Sequence, residues 1–185
     1  MEKLNNKQLD RIKRIKLILS NMSDQSIPKL TETELRNGTK AGIHDVTKTL
    51  IGYKKIECRC SRFSGSEITT EAIATLQIEP GSTIIRPFIP IENYFGTTIG
   101  TSTFVSNKLR TNRALITDMT DIKPYSYMNY LLNECECYSI RDHSFKYTVG
   151  KIIEPIKALD TNIEKECTSG IHFFNQKKDA QDYWQ

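Results

Sequence analysis

Apolar residues recur at steps of three and four in the first part of the chain, with Lys and Arg on the other helical faces. The residues that form this apolar stripe are Leu9, Ile12, Ile15, Leu19 and Met22. The spacing predicts one amphipathic helix over about residues 3–22. Thr31-Glu32-Thr33-Glu34 before Leu35 is typical of a second helix start, and Gly38 predicts its end. We therefore expect residues 1–45 to form a helical N-terminal segment.

From Val46 onward the pattern changes to short runs with the residue types of β-strands. Extended runs are predicted over 49–60, 72–78, 83–86, 114–117, 145–149 and 170–174. Connections are predicted over 61–71 and 87–103, and short helices over 125–133 and 176–184. The expected fold class is α+β, with a mostly antiparallel sheet, an N-terminal amphipathic helix and a C-terminal helix. Residues 46–185 are predicted to form one α+β domain.

The positive charge of the chain belongs to its beginning. The protein has 26 Lys and Arg against 22 Asp and Glu, and residues 1–20 hold six basic and two acidic side chains. The other 165 residues therefore carry 20 charges of each sign. The overall positive charge is therefore no argument for nucleic acid as a ligand of the sheet domain. Binding of nucleic acid through the basic helix stays an alternative, and it predicts affinity that falls steeply with salt.

Hydropathy and cysteine usage indicate where the protein works. No apolar run approaches the ~20 residues that cross a bilayer, so no membrane association is expected. The five cysteines are an odd number, and no secretory signal is recognisable at the start of the chain. These features favour free thiols in a reducing compartment, and hence a cytoplasmic location.

Two Cys-x-Cys pairs invite a metal interpretation. Cys58 with Cys60 and Cys135 with Cys137 would each present two thiolates on one face of a strand, and four thiolates suit tetrahedral zinc. A one-residue spacer is short for chelation, however, and cysteine is often a small buried hydrophobe. We therefore predict no metal site, and whether the two pairs meet stays open.

Cys167 and His172 form a candidate thiol–imidazole pair. In an extended segment they lie on the order of 16 Å apart, so a nucleophilic pair would need a tight turn at Ser169-Gly170. A histidine bonded to a backbone carbonyl is the favoured interpretation of His172. The sequence has no P-loop, GxGxxG or HExxH motif. No catalytic residue and no cofactor are predicted.

Basic residues recur in two parts of the chain, first at Lys54, Lys55, Arg59 and Arg62 and then at Lys108, Arg110 and Arg113. If the fold brings the strands together, these side chains form an anion-binding surface for a phosphate or nucleotide. The alternative is that they simply face solvent. The predicted ligand-binding residues are Tyr53, Lys54, Lys55, Arg110, Thr111, Asn112, Arg113 and His172.

A series of motifs resembles a known domain family. The series runs through Ile51-Gly52-Tyr53-Lys54-Lys55, Ala74-Thr75-Leu76-Gln77-Ile78-Glu79-Pro80, Leu109-Arg110-Thr111-Asn112-Arg113-Ala114, Phe145-Lys146-Tyr147-Thr148-Val149-Gly150-Lys151 and Cys167-Thr168-Ser169-Gly170-Ile171-His172-Phe173-Phe174. Over about residues 50–184 it resembles an uncharacterised domain of large DNA viruses, phages and some bacteria that is often fused to pentapeptide repeats. The resemblance implies a viral or phage accessory protein and brings no known reaction.

Gly170-Ile171-His172-Phe173, followed by Ala180 and Tyr183, is also similar to the strand and helix that line the NAD cleft of ADP-ribosyltransferases. No full catalytic set of those enzymes can be placed here. The leading hypothesis is a non-enzymatic accessory protein that captures a host macromolecule or a small anionic, nucleotide-like ligand. An NAD-using ADP-ribosyltransferase is the alternative, and a homo-oligomer is left open.

Overall fold

The computed structural model describes residues 27–61, 67–90, 103–122 and 132–183. The predicted amphipathic helix over 3–22 lies outside these residues, as does most of the helix predicted over 125–133. The described end of the latter is a 3-10 turn at Leu132–Glu134. Within the described ranges, no helix has the length and apolar character that a bilayer crossing requires.

The described residues form two short helices and twelve strands. The helices are α1 (Glu32–Asn37) and α2 (Lys177–Asp182). The strands are β1 (Gly42–Asp45), β2 (Leu50–Ser61), β3 (Glu67–Ile78), β4 (Thr83–Arg86), β5 (Phe88–Pro90), β6 (Thr103–Val105), β7 (Lys108–Thr111), β8 (Ala114–Asp121), β9 (Glu136–Ser139), β10 (Lys146–Tyr147), β11 (Ile152–Ile153) and β12 (Ile171–Phe174).

Ten of these strands form one sheet in the order β1-β4-β7-β12-β2-β3-β8-β11, with β9 paired to β2 and β10 paired to β9. The strands β5 and β6 form a separate hairpin-like pair. Every described strand pairing is antiparallel. The prediction of a mostly antiparallel sheet is therefore confirmed, and α2 is the predicted C-terminal helix.

The long pair of β2 and β3 is the centre of the sheet. Their twelve-residue ladder runs from Leu50 opposite Ile78 to Ser61 opposite Glu67. Alternate residues of β2 enter the core, as the period of two requires. The strand β3 begins at Glu67, inside the predicted connection, because polar residues there pair with β2 along the whole ladder.

The sheet begins at Gly42, before the β-type sequence that starts at Val46. The strand β1 pairs with β4 at one edge of the sheet. The helix α1 starts where the sequence predicts a helix start, and a capping box forms there, in which Thr31 and Glu34 satisfy each other's backbone N–H groups. Leu35 of this helix is fully buried in the core. Residues before Val46 therefore pack with the sheet.

Four of the five cysteines form two disulfides, which corrects the prediction of free thiols. Antiparallel pairing places Cys58 of β2 directly opposite Cys137 of β9, and the two are bonded. Cys60 is bonded to Cys135, so both Cys-x-Cys pairs meet face to face. Because disulfides persist in oxidising surroundings, the cysteine content no longer supports a reducing compartment. Among the described residues, no cluster of metal-ligating side chains occurs.

Candidate functional site

The strand β2 divides one of its edges between two partners. Its other edge is fully paired with β3, so β12 and β9 must share the remaining one. Tyr53 lies opposite Phe174 of β12, and Ile56 lies opposite Ser139 of β9. Lys54 and Lys55 fall between the two pairings, where the sheet is open. A cavity of about 570 Å³ lies at this opening.

Much of the cavity wall is apolar. The strand β12, the segment after β9 and the loop before β12 supply this part of the wall, which includes Ile140, Phe145, Tyr147, Ile156, Ile171 and Phe174. The volume falls within the range of about 300–1,000 Å³ that small-molecule sites occupy. The cavity is therefore large enough for an organic molecule with an aromatic or aliphatic part, and larger than a single inorganic ion requires.

The charged groups of the lining are mostly basic. They are Lys54, Lys55, Lys108, Arg141 and Lys157, against one carboxylate, Asp142. The ammonium of Lys55 is paired with Glu71 at 3.0 Å, which neutralises it. The remaining four cations and one anion make the cavity electropositive, although residues beyond the first 20 are charge-balanced as a block.

Lys108 reaches the cavity from β7, where its ammonium contacts two side chains. Its Nζ donates to the hydroxyl of Tyr183 at 2.9 Å and to Sγ of Cys167 at 3.2 Å. It also lies 5.0 Å from the centroid of the Tyr183 ring. Burial lowers the pKa of Lys108, but the hydrogen bonds to Tyr183 and Cys167 and the charge interactions with them together outweigh burial and leave the pKa raised. Lys108 is therefore a fixed positive charge at the cavity.

Lys54 has no such partners. It is partly buried and forms no hydrogen bond or ion pair with another described residue. Burial, followed by the positive charge of Lys108, lowers the pKa of Lys54 to about 8, and the attraction of Asp142 offsets only part of this. Lys54 is therefore mostly charged at neutral pH and loses its proton within a few pH units of it.

His172 is neutral in this environment. Its Nε2 lies 3.1 Å from the backbone oxygen of Glu166, and because a carbonyl only accepts, Nε2 carries the proton. Burial, and then the charges of Lys108 and Lys54, lower the pKa of His172 to about 3. The hydrogen bond to a backbone carbonyl that the sequence analysis favours for His172 is present, and the imidazole ring also lines the cavity.

Cys167 and His172 do not hydrogen-bond to each other. Cys167 is an exposed free thiol whose Sγ accepts from Lys108, whereas the His172 ring donates to the backbone at Glu166. The loop before β12 does turn, since Gly170 has a φ of 145°. The described contacts therefore assemble no thiol–imidazole pair, in agreement with the interpretation of His172 favoured from the sequence.

Arg110 lies beside the cavity, and its guanidinium hydrogen-bonds to the loop over 160–166. It is fully buried and donates to the backbone oxygens of residues 160, 162, 165 and 166. Burial lowers its pKa, an effect that the nearby carboxyl group of Asp160 opposes. Because its guanidinium binds main-chain carbonyls, Arg110 shapes the wall of the cavity and contributes no free cation to it.

The other predicted site residues lie away from the lining. Thr111 donates to the backbone oxygen of Thr83 at 2.9 Å, and the Asn112 side chain accepts from the N–H of Thr83 at the same distance. Arg113 is exposed, 3.6 Å from Glu154. Tyr53 packs in the small cluster beneath α2. Of the eight predicted residues, Lys54, Lys55 and His172 line the cavity.

Sequence reasoning did not place Lys108, Tyr183, Asp142 or Cys167 among the predicted ligand-binding residues, although all four line the cavity. The sequence did offer a signal for Lys108, because a strand through Lys108 and Arg110 places both side chains on one face at a spacing of two. Tyr183 lies 75 residues from Lys108, and its role depends on how α2 docks on the sheet. No local pattern indicates such a contact.

Comparison with known proteins shows which family the chain belongs to. A model described as "Family of unknown function (DUF5758)" matches residues 35–180. The chain is also similar to the uncharacterized protein L223 of Acanthamoeba polyphaga mimivirus, with 30% identity over 155 residues that cover 78% of this chain and 89% of that protein. No solved structure matches. The expected relation to an uncharacterised domain found in a large DNA virus is confirmed, and the chain belongs to the DUF5758 family of unknown function.

Proposed function

We propose that the protein captures a small organic anion in the cavity between β12 and β9. The observation that carries the proposal is that Lys54 and Lys108 both line it, and neither contacts a carboxylate among the described residues. The Lys54 ammonium is withdrawn from water beside the positive charge of Lys108 and without a carboxylate in contact, which costs free energy. A bound phosphate or carboxylate would offset that cost, so these charges favour an anionic ligand.

The rest of the lining selects for an organic ligand. Phe145, Phe174 and Tyr183 offer aromatic surface at the cavity, and Ile156 is 80% exposed at its rim. An aromatic ring or apolar chain attached to the anionic group would cover this surface and gain about 25 cal/mol for each Å² of apolar area removed from water. A nucleotide-like molecule combines both features. Similarity to a mimivirus protein supports placing this capture in a viral accessory role.

Thermal-shift measurements with paired ligands test the proposal. AMP is expected to raise the melting temperature of the full chain, and adenosine, which lacks the phosphate, is expected to leave it unchanged. The variant Lys108→Met should lose the AMP response, whereas Lys48→Met, at an exposed position, should retain it. The proposal would be wrong if phosphate- and carboxylate-bearing ligands all failed to shift the wild-type protein.

The NAD-using alternative draws on the same cavity. Gly170 and His172, which carry the similarity to ADP-ribosyltransferases, both line it. Asp142 is the one carboxylate that the described residues contribute to the lining, and it is exposed. Incubation with NAD labelled in the nicotinamide ring separates the alternatives. Release of labelled nicotinamide would show that the protein is an NAD-using enzyme and contradict non-catalytic capture. Binding of NAD without release of nicotinamide would favour capture.

A further inference from the structure

We propose that Lys54 forms a reversible Schiff base with a carbonyl group on the captured anion. The substrate class is an aldehyde or ketone that also carries a phosphate or carboxylate. This inference rests on the proposed function, because Lys108 must hold the anionic group while the carbonyl meets Lys54. It goes beyond that function because it adds a covalent bond and assigns a different task to each of the two lysines.

The position of Lys54 on β2 leaves its amine without a hydrogen-bond or ion-pair partner among the described residues. It follows Tyr53, the last residue of β2 that pairs with β12, and precedes Ile56, the residue opposite the end of β9. Its neighbour Lys55 also lines the cavity, but an ion pair with Glu71 engages that ammonium. The amine of Lys54 makes no corresponding contact with a described residue. Lys54 is therefore the amine available for reaction with a ligand.

The groups around Lys54 favour its uncharged, nucleophilic form. Lys108 on β7 stays positive, His172 on β12 is neutral, and Asp142 after β9 contributes the opposing negative charge. With a pKa of about 8, about a tenth of Lys54 is a free amine at neutral pH, against well under roughly a thousandth of an ordinary lysine. Burial beside a second cation is an established way to activate a lysine amine.

The reaction balances without any oxidant or reductant. The nitrogen of Lys54 forms a bond to the carbonyl carbon, and the carbonyl π-bond opens toward oxygen. The two amine protons leave with that oxygen as one molecule of water, and a carbon–nitrogen double bond remains. Addition of water reverses the sequence, so the ligand is held covalently and can still be released.

Pyridoxal 5′-phosphate is a suitable probe because it joins an aldehyde, an aromatic ring and a phosphate. The full chain is incubated with limiting reagent, the imine is trapped with borohydride, and labelled peptides are identified by mass spectrometry. We expect labelling of Lys54 to exceed that of exposed Lys48 by about tenfold or more. Lys54→Arg, which keeps the positive charge, should lose this label, and Lys108→Met should weaken it. Labelling spread evenly over exposed lysines would overturn the inference.

Two matched ligands separate this inference from the proposed function. Pyridoxine 5′-phosphate carries an alcohol in place of the aldehyde, so it tests anion capture without imine formation. If it raises the melting temperature and pyridoxal 5′-phosphate leaves no adduct on Lys54, capture stands and the Schiff base is wrong. If neither ligand binds or reacts, both proposals fail. Pyridoxal, which lacks the phosphate, should label Lys54 more slowly than its phosphate ester does.

Discussion

The ammonium of Lys108 lies 2.9 Å from the hydroxyl of Tyr183 and joins the middle of the sheet to the end of α2. The Tyr183 ring packs against Phe174, with their ring centroids 5.2 Å apart. Ala180 of the helix is fully buried in the same cluster. The docking of one six-residue helix therefore positions the fixed cation of the cavity.

We expect Tyr183→Phe to lower the free energy of unfolding by roughly 1–2 kcal/mol, because a hydrogen bond to a charged group is lost while the ring stays. Urea unfolding measures this change. Tyr138→Phe is the matched control, since the Tyr138 hydroxyl contacts Glu136 at the exposed surface. Equal losses in the two variants would contradict the role assigned to Tyr183.

Lys54→Met should stabilise the protein at neutral pH, by roughly 1–3 kcal/mol, because it removes a buried charge without a counter-ion. The folded protein releases the Lys54 proton near pH 8, and the unfolded chain releases it near 10.5. Between these values the unfolded chain binds more protons, so the wild-type protein gains stability as pH rises.

The advantage of Lys54→Met should therefore be full below about pH 8 and shrink as pH approaches 10.5. Denaturant unfolding at a series of pH values checks both the sign and the window. Lys151→Met, at an exposed position, provides the control and should leave stability nearly unchanged at every pH. A destabilised Lys54→Met protein at neutral pH would show that Lys54 has a partner that stabilises the fold.

Arg110 and Arg113 share one motif but should respond differently to substitution. Arg110→Met removes a fully buried guanidinium that donates to four carbonyls of the loop over 160–166, so we expect a loss of roughly 3 kcal/mol or more. Arg113→Met removes an exposed contact with Glu154 and should cost about 0.5 kcal/mol or less. Thermal unfolding of both variants tests the contrast, which similar losses would refute.

Gly52 is required by the close approach of Phe173. A Cβ added at Gly52 would lie 2.3 Å from Cδ2 of that ring. We expect Gly52→Ala to destabilise the fold by roughly 1–3 kcal/mol through overpacking. Combining it with Phe173→Leu should recover part of this loss, since the smaller side chain vacates the space. Additive losses in the double variant, measured by a double-mutant cycle, would contradict a direct clash.

The two disulfides should stabilise the protein redundantly. The pair Cys58–Cys137 spans 79 residues and encloses Cys60–Cys135, which spans 75. With either bond intact, the other closes only a short additional loop of the unfolded chain. Replacing one pair by alanine should therefore cost clearly less than half of the roughly 4 kcal/mol expected for removing both. Strict additivity in urea unfolding would contradict this.

The sequence predicted those strands whose own pattern determines them. Residues 83–86 match β4, and the runs over 49–60 and 170–174 match β2 and β12 within a residue. The strand β1 and the first part of β3 were missed because cross-strand pairing, and not local apolar alternation, makes them extended. The run over 145–149 shortens to β10, because a turn follows in which the N–H of Lys151 donates to the backbone oxygen of Thr148.

The site was harder to predict than the strands. Lys54 and His172 were identified from residue type, yet the cavity that joins them exists because β12 and β9 share one edge of β2. The disulfides depend on the same long-range register, which sets Cys58 opposite Cys137. Arg110 was predicted to bind a ligand because a guanidinium suits anions, but it donates its hydrogen bonds to the backbone carbonyls of the loop over 160–166. Such outcomes follow from tertiary contacts and not from spacing.

Calorimetric titration of the full chain with AMP tests anion capture most directly. The double variant Lys54→Met/Lys108→Met removes the two cavity cations to which anion capture is assigned, and Lys48→Met/Lys151→Met removes the same charge from exposed positions. We predict that the first variant loses about 100-fold or more in affinity, while the second binds like the wild-type protein. Equal affinity for AMP in all three proteins would contradict an anion site at this cavity.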